Sequence, residues 1–200
     1  MDTLLYTIGN NLYLNTTNRC PCACTFCVRQ ETDTLGDAGS LWLKDGEHPV
    51  EEYIRQFEAR DLDRYQEIIF CGYGEPTERL ADICAMADYL KAHTKTPIRL
   101  NTNGLSDLIY GRDTTPDLEG RFDAVSVSLN APDAQRYLEI TNSRFGIESF
   151  DAMLRFTQNA KAHVPYVQMS IVDVLSPEDT KKCQEICDKI GVHLRIRLYA

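Results

Sequence analysis

Four of the eight cysteines fall within Arg19-Cys20-Pro21-Cys22-Ala23-Cys24-Thr25-Phe26-Cys27. Thiolates this close together repel one another, and their pKa values rise unless a cation or oxidation relieves the repulsion. The spacing Cys20-x3-Cys24-x2-Cys27 offers three soft ligands from one short loop, the donor set of an iron–sulfur cubane. Three protein ligands for four irons leave one iron open, which is a catalytic arrangement rather than a closed structural one. Spacing alone leaves two other chemistries open. One is a structural zinc site, with Cys22 as fourth ligand and Cys24-x2-Cys27 as half of the set. The other is disulfide pairing, which needs an oxidising compartment.

Further polar groups recur at strand ends. Gly72-Tyr73-Gly74-Glu75-Pro76 follows the apolar run Ile68-Ile69-Phe70, where an exposed backbone edge and a carboxylate suit an ammonium ion; the plain alternative is a strand-to-helix turn. Asn101-Thr102-Asn103-Gly104 reads equally as a ligand-facing edge or an Asx turn. Side chains two apart share a strand face. Asn15 and Thr17, Asn101 and Asn103, Ser126 and Ser128, Gln168 and Ser170, and Arg195 and Arg197 each place polar groups on one face. Leu194, Ile196 and Leu198 would pack on helices. Parallel strands buried on both faces normally read as continuous apolar runs, so this alternation predicts an interior lined with hydrogen-bonding groups, a ligand cavity. Arg195 and Arg197, if inward, need an anion, since a buried unpaired charge is costly. The alternative is an edge strand with solvated arginines. Cys71 belongs to the core or the cavity, Cys84 to helix packing, and Cys183 with Cys187 to packing rather than a second metal site. Cys22 is expected to point away from the other three thiols.

The elements that must position these groups follow from periodicity. Leu4–Ile8 and Asn11–Thr17 are strand-like runs joined by Gly9-Asn10, a hairpin turn. Residues 28–47 read as an irregular segment anchored by Trp42 that would cover the cysteine loop. A helix starts near Val50 and runs through Phe57, and another spans Leu80–His93. Strands are expected at 67–71, 98–103, 124–130, 164–172 and 193–199. A helix opens at Pro132-Asp133, Ser149 caps the next, and Ser176-Pro177-Glu178-Asp179 starts a last one that Gly191 ends. Strands alternating with helices imply β–α units around a mainly parallel sheet. About six barrel strands are too few for a closed eight-stranded barrel. The expectation is an α/β chain forming one domain over 1–200, a partial (β/α)6 barrel with an N-terminal β-hairpin.

Bulk composition is that of a globular protein, with 43% hydrophobic and 26% charged residues. The net charge of −9 argues against broad nucleic-acid binding. No run approaches membrane-spanning length and no basic leader precedes Leu4-Leu5-Tyr6, so a cytoplasmic location, where thiols stay reduced, is expected.

The cysteine spacing, with an aromatic residue before the last cysteine, resembles the signature of the radical S-adenosylmethionine (radical SAM) superfamily. Asn18-Arg19-Cys20-Pro21, Cys24-Thr25-Phe26-Cys27-Val28-Arg29, Phe70–Thr77, Asn101–Gly104, Ser128-Leu129-Asn130-Ala131 and Arg195-Ile196-Arg197 together are most similar to its TatD-associated group. The resemblance implies that Cys20, Cys24 and Cys27 ligate a [4Fe–4S] cluster and act as the catalytic and metal-binding residues. It implies reductive cleavage of S-adenosylmethionine to methionine and a 5′-deoxyadenosyl radical that abstracts hydrogen from a substrate. Tyr73, Gly74 and Glu75 would hold the methionyl amino group. Asn101, Asn103, Ser126 and Ser128 would meet other polar groups of the cofactor, and Arg195 and Arg197 its carboxylate or a substrate anion. A flavodoxin or ferredoxin reductant and a TatD-type hydrolase are the implied partners. Two alternatives are a glycyl-radical-type activase acting on a protein partner and a non-catalytic zinc or iron–sulfur adaptor. The substrate and the fate of the cofactor are not written in the sequence.

Overall fold

A computed structural model describes residues 2–30, 32 and 35–198. The chain opens with β1 (Leu5–Ile8) and β2 (Asn11–Leu14), antiparallel to one another, with Leu5 opposite Leu14 and Ile8 opposite Asn11. Gly9 makes the turn at a φ of 59°, the left-handed region that a residue without Cβ enters at no steric cost. There follow α1 (Val50–Glu58), β3 (Ile68–Phe70), α2 (Leu80–His93), β4 (Ile98–Thr102), α3 (Ser106–Tyr110) and β5 (Ala124–Ser128). The chain then runs through α4 (Ala134–Thr141), α5 (Glu148–Ala160), β6 (Tyr166–Val172), α6 (Pro177–Ile190) and β7 (His193–Arg197).

Among the described residues the strands form one seven-stranded sheet in sequence order. Every pairing from β2 to β7 is parallel. Strands β2–β7 are thus the six barrel strands expected, and β1 is the added hairpin arm. The sheet stays open between its β1 and β7 edges. Its outer face is apolar: Leu14, Phe70, Leu100, Val125 and Met169 are buried in the core that the helices cover. Phe70 meets Phe122 edge to face at 5.3 Å. Cys84, Cys183 and Cys187 are buried in this core, as expected of packing cysteines.

The helix starts show where local chemistry decides and where it does not. The Asp133 and Ser176 side chains accept from the N–H groups of Arg136 and Asp179 and so cap α4 and α6. Gly191 ends α6 at a φ of 74°. Ser149 is not the cap of α5. That helix begins at Glu148, and the buried Ser149 hydroxyl donates to Ser143 Oγ at 2.7 Å.

Two expectations about strand faces fail. β2 leaves the ladder after Leu14, so Asn15 and Thr17 turn out of the interior. The Asn15 amide donates to the carbonyls of Thr3 and Leu41, and the Thr17 hydroxyl to Glu47. On β7, Leu194 is buried but Ile196 and Leu198 are 53% and 83% exposed, because no helix covers the end of this edge strand. The strand ends at Arg197, and the Tyr199 to which it was expected to run lies outside the described residues.

Candidate active site

The cysteine loop leaves the carboxyl end of β2 and is held from two sides. The carbonyls of Ile140 and Thr141, in the last turn of α4, have no partner within their own helix. They accept instead from the N–H groups of Thr25 and Ala23, at 2.9 and 2.8 Å. Arg144 N–H donates back to the Pro21 carbonyl at 2.9 Å, and the Asn142 amide to Ala23 O at 3.2 Å. From the other side Arg19 reaches Glu47 at 2.7 Å and Glu78 at 3.3 Å. The loop is therefore framed before any ligand is considered.

Cys20, Cys24 and Cys27 all line one cavity of about 370 Å³. Cys22 does not point away as expected. It is 5% exposed and lines the same cavity. Its closeness lowers the pKa of Cys20 and of Cys24 and raises that of Cys22 itself. Burial raises Cys27, partly offset by the nearby Arg29. The Asn103 amide lies 3.9 Å from Cys20 Sγ.

The glycine motif closes against the exit of β2. A Cβ on Gly72 would meet Asn15 Oδ1 at 2.2 Å, and one on Gly74 would meet Thr17 O at 2.2 Å and Arg19 O at 2.6 Å. Close backbone approach, rather than an unusual φ, requires glycine at both positions. Glu75 N–H donates to Arg19 O at 2.8 Å, extending the contact. The Glu75 side chain accepts from Thr77 N–H, Thr77 Oγ1, Thr102 Oγ1 and the Asn103 N–H, at 2.7 to 3.1 Å. It caps the 3₁₀ turn Pro76–Arg79 and ties the ends of β3 and β4 together while lining the cavity. Burial raises its pKa although all four donors favour its charge.

Tyr73 does not line the cavity. Its ring packs edge to face on Trp42 at 5.3 Å, and its hydroxyl donates to Thr32 O, beneath the 28–47 segment. Leu41, Tyr6 and Tyr73 form a small second core there. The segment thus lies over the hairpin, with Val28 and Leu35 reaching the cavity wall.

The remaining sites expected from sequence converge. Asn101 is level with Ser126, and Ser126 with Gln168; Ser128 is level with Ser170, and Ser170 with Arg195. Asn101, Asn103, Ser126, Ser128, Arg195 and Arg197 all line the cavity with Gly74 and Glu75. Gln168 donates to Ser126 Oγ at 3.2 Å, within the wall. Among the described residues, three buried atoms of the lining have no hydrogen-bond partner: Asn101 Oδ1, Asn130 Oδ1 and Arg197 Nε. Asn130 is 6% exposed and held at a φ of 55°. Buried polar groups are normally paired, so these three mark the wall as one that meets a polar ligand.

Sequence reasoning missed the hairpin and α4 as parts of the wall. Tyr6 and Tyr13, stacked at 5.2 Å, line it, as do Tyr137 and Thr141. The alternation of Tyr13 with Leu12 and Leu14 was the available signal for the first pair. Nothing in the sequence of α4 announces the second.

Residues 14–190 match the Radical SAM superfamily. The chain belongs to the radical SAM superfamily. A GTP 3′,8-cyclase of Corynebacterium glutamicum is 28% identical over 199 residues, covering 94% of this chain and 48% of that enzyme. The chain thus spans about half the length of the curated relatives it matches. Among solved structures, Streptococcus suis SuiB bound to S-adenosylmethionine superposes with a TM-score of 0.66 at 17% identity, covering 94% of this chain and 40% of that one. Native anSMEcpe with bound AdoMet gives 0.64 at 18%, covering 94% and 50%. These likenesses show the partial-barrel fold.

This radical SAM chain is by its family an enzyme, and the family implies a [4Fe–4S] cluster and S-adenosylmethionine. The residues present fit both: three cysteine thiols on one cavity wall supply the soft donors, and unpaired polar atoms supply the rest. Among the described residues no three His, Cys, Asp or Glu side chains converge as a single metal ion requires. No helix among them is long and apolar enough to cross a membrane.

Proposed function

We propose that this chain carries the reaction core of a radical SAM enzyme, with Cys20, Cys24 and Cys27 as cluster ligands. The observation that carries the reading is the opening of all three cysteines onto one cavity whose lining holds the unpaired Asn101 Oδ1, Asn130 Oδ1 and Arg197 Nε. When bound, the cluster and S-adenosylmethionine supply reductive cleavage of the sulfonium and hydrogen abstraction from a substrate. The chain's own residues bind and orient. The backbone of Gly72–Gly74 presents an acceptor edge to the methionyl ammonium, and Glu75 adds negative charge beside it. Because four donors already hold its carboxylate, Glu75 acts from a fixed position. Tyr73 contributes through its backbone only. Asn101, Asn103, Ser126 and Ser128 offer hydrogen bonds to the remaining polar groups of the cofactor. Glu75 is buried and the three cysteines are half-buried, which limits the access of bulk water to the reacting centre.

The finer likeness is to the TatD-associated group, with a TatD-type hydrolase as partner, a flavodoxin or ferredoxin as reductant and a cytoplasmic setting. The curated relatives are named for a reaction on GTP, which makes a nucleotide one substrate to try. Nothing in the structure favours the activase or the adaptor, since an adaptor needs neither a polar cavity nor the Glu75 tether. The test is anaerobic reconstitution with iron and sulfide, reduction, addition of S-adenosylmethionine and measurement of 5′-deoxyadenosine. Product is expected from the wild type and not from Cys20→Ala, Cys24→Ala or Cys27→Ala. A reconstituted cluster with no product would overturn the reading.

A further inference from the structure

The β7 side of the cavity holds two arginines without a countercharge. Arg195 and Arg197 both line it, two residues apart on one strand face and so separated by about 6.6 Å of strand rise. Arg195 is exposed at the cavity rim and Arg197 half-buried; among the described residues neither takes part in an ion pair, whereas Arg19 pairs with Glu47, Arg79 with Asp82 and Arg99 with Glu67. Arg197 Nε is buried and unpartnered. The groups that act on its charge include no carboxylate: burial lowers its pKa, Cys71 and Cys24 raise it, and Arg195 lowers it. Arg195 also acts on Tyr13 of the hairpin, across the open side of the barrel. In a chain of net charge −9, with carboxylates to spare, two neighbouring guanidiniums are left facing a cavity and repelling one another. The cost falls on Arg197, whose buried Nε has no partner, while Arg195 adds a second positive charge from the rim.

We propose that Arg195 and Arg197 form an anion clamp that receives a carboxylate or phosphate group of the substrate, an inference that rests on the reading of this cavity as the reaction site. The fork of a guanidinium matches both anions, and two forks in line grip one group from two directions. The clamp stands at the free edge of the sheet, opposite the stacked Tyr6 and Tyr13. A substrate therefore enters anion-first against β7, with its body against the aromatic hairpin. Both arginines lie beyond the segment that matches the superfamily, which ends at residue 190.

The test is calorimetric titration of the reconstituted protein, saturated with S-adenosylmethionine, with inorganic phosphate and separately with malonate. The stronger binder of the two identifies the anion. Arg195→Gln and Arg197→Gln are each expected to weaken it about tenfold, the loss of a charge-assisted hydrogen bond. Arg197→Lys should fall between, since a point charge replaces the fork. Arg136→Gln, at an exposed pair with Glu139, should change nothing. Should a glutamine variant not fold, protection of the wild-type arginines from phenylglyoxal by the bound anion, mapped to Arg195 and Arg197, gives the same answer. Three results overturn the clamp: neither anion binds, the variants bind like wild type, or saturating S-adenosylmethionine abolishes binding. The last would assign the arginines to the cofactor's own carboxylate. The titration reads binding without turnover and can be repeated on metal-free protein, so its failure is separable from absence of 5′-deoxyadenosine.

Discussion

At the scale of single residues, the cysteine loop separates ligands from a bystander that sits among them. Cys22 lines the same cavity as Cys20 and Cys24, yet a fourth thiolate on the cluster would close the iron that the cofactor needs. Cys22→Ala is therefore expected to keep the iron and sulfide content of the wild type after reconstitution, with a stability loss of about 1 kcal/mol for one buried sulfur. Loss of the metal in that variant would point to a closed four-cysteine centre. Gly74 is constrained more severely. A methyl group there has no flexible neighbour to displace, only the carbonyls of Thr17 and Arg19 at 2.2 and 2.6 Å. Gly74→Ala should lower unfolding stability by about 3 kcal/mol or more, measured by urea titration, because backbone must move. Gly9→Ala should cost about 1 kcal/mol, since it meets no atoms and bears only the strain of a positive φ.

Among the elements, α4 is a scaffold as well as part of the cavity wall. Its last carbonyls hold the cysteine loop, and Asn142, at a φ of 45° and ψ of 46°, turns the chain so that its amide can reach Ala23. Asn142→Ala removes that bond and places a residue in the left-handed region without a side chain suited to it. About 1 to 2 kcal/mol of stability should be lost, and iron should exchange to a chelator faster than in the wild type. α1 carries a second tether. His48 bonds Asp2 at 3.0 Å and Glu52 at 2.8 Å. The hydrogen bond to Asp2 is the chief cause that raises the His48 pKa, with burial opposing. Because the folded value lies above the unfolded one, this stabilisation is full below the unfolded pKa and fades as pH rises through the folded value. Wild-type Tm should therefore fall from slightly acidic to slightly alkaline pH, and His48→Ala should flatten that slope. Asp2 behaves oppositely: its pKa is lowered by His48 and two backbone donors against burial. Its contribution is lost only as pH drops through the carboxylate range.

For the molecule as a whole, ligation and folding are one equilibrium. The cavity is shared by the cysteine loop, the hairpin strands β1 and β2, and strands β4 to β7, so a bound cofactor stabilises all of them by mass action. Adding S-adenosylmethionine at about a hundred times its Kd should stabilise the reconstituted protein by about 2.7 kcal/mol, read as a rise in Tm that metal-free protein does not show. The legible parts of this architecture were those with strong period or strong punctuation. The apolar spacing of Leu80, Ile83, Ala87 and Leu90 marks α2 to both ends, and Ser176-Pro177 with Gly191 brackets α6. The polar alternation of Asn101, Ser126 and Ser128 announces the cavity. The same rule misled at Asn15 and Thr17, because a face holds only while the strand does and β2 stops at Leu14. It misled at Ile196 and Leu198 because an edge strand need not be covered. Tyr73 and Cys22 were misplaced for another reason: their directions are set by partners distant in sequence, Trp42 for one and the neighbouring thiols for the other. The frame around the cysteine loop was invisible for the same cause.

That frame also fixes an order of events during biosynthesis. Ala23 and Asn142 are separated by 119 positions along the chain, and the carbonyls of Ile140 and Thr141 exist as acceptors only once α4 has wound. A nascent chain therefore exposes four reactive thiols to oxidants long before it can shape them, and metal delivery has a productive target only after translation has passed Arg144.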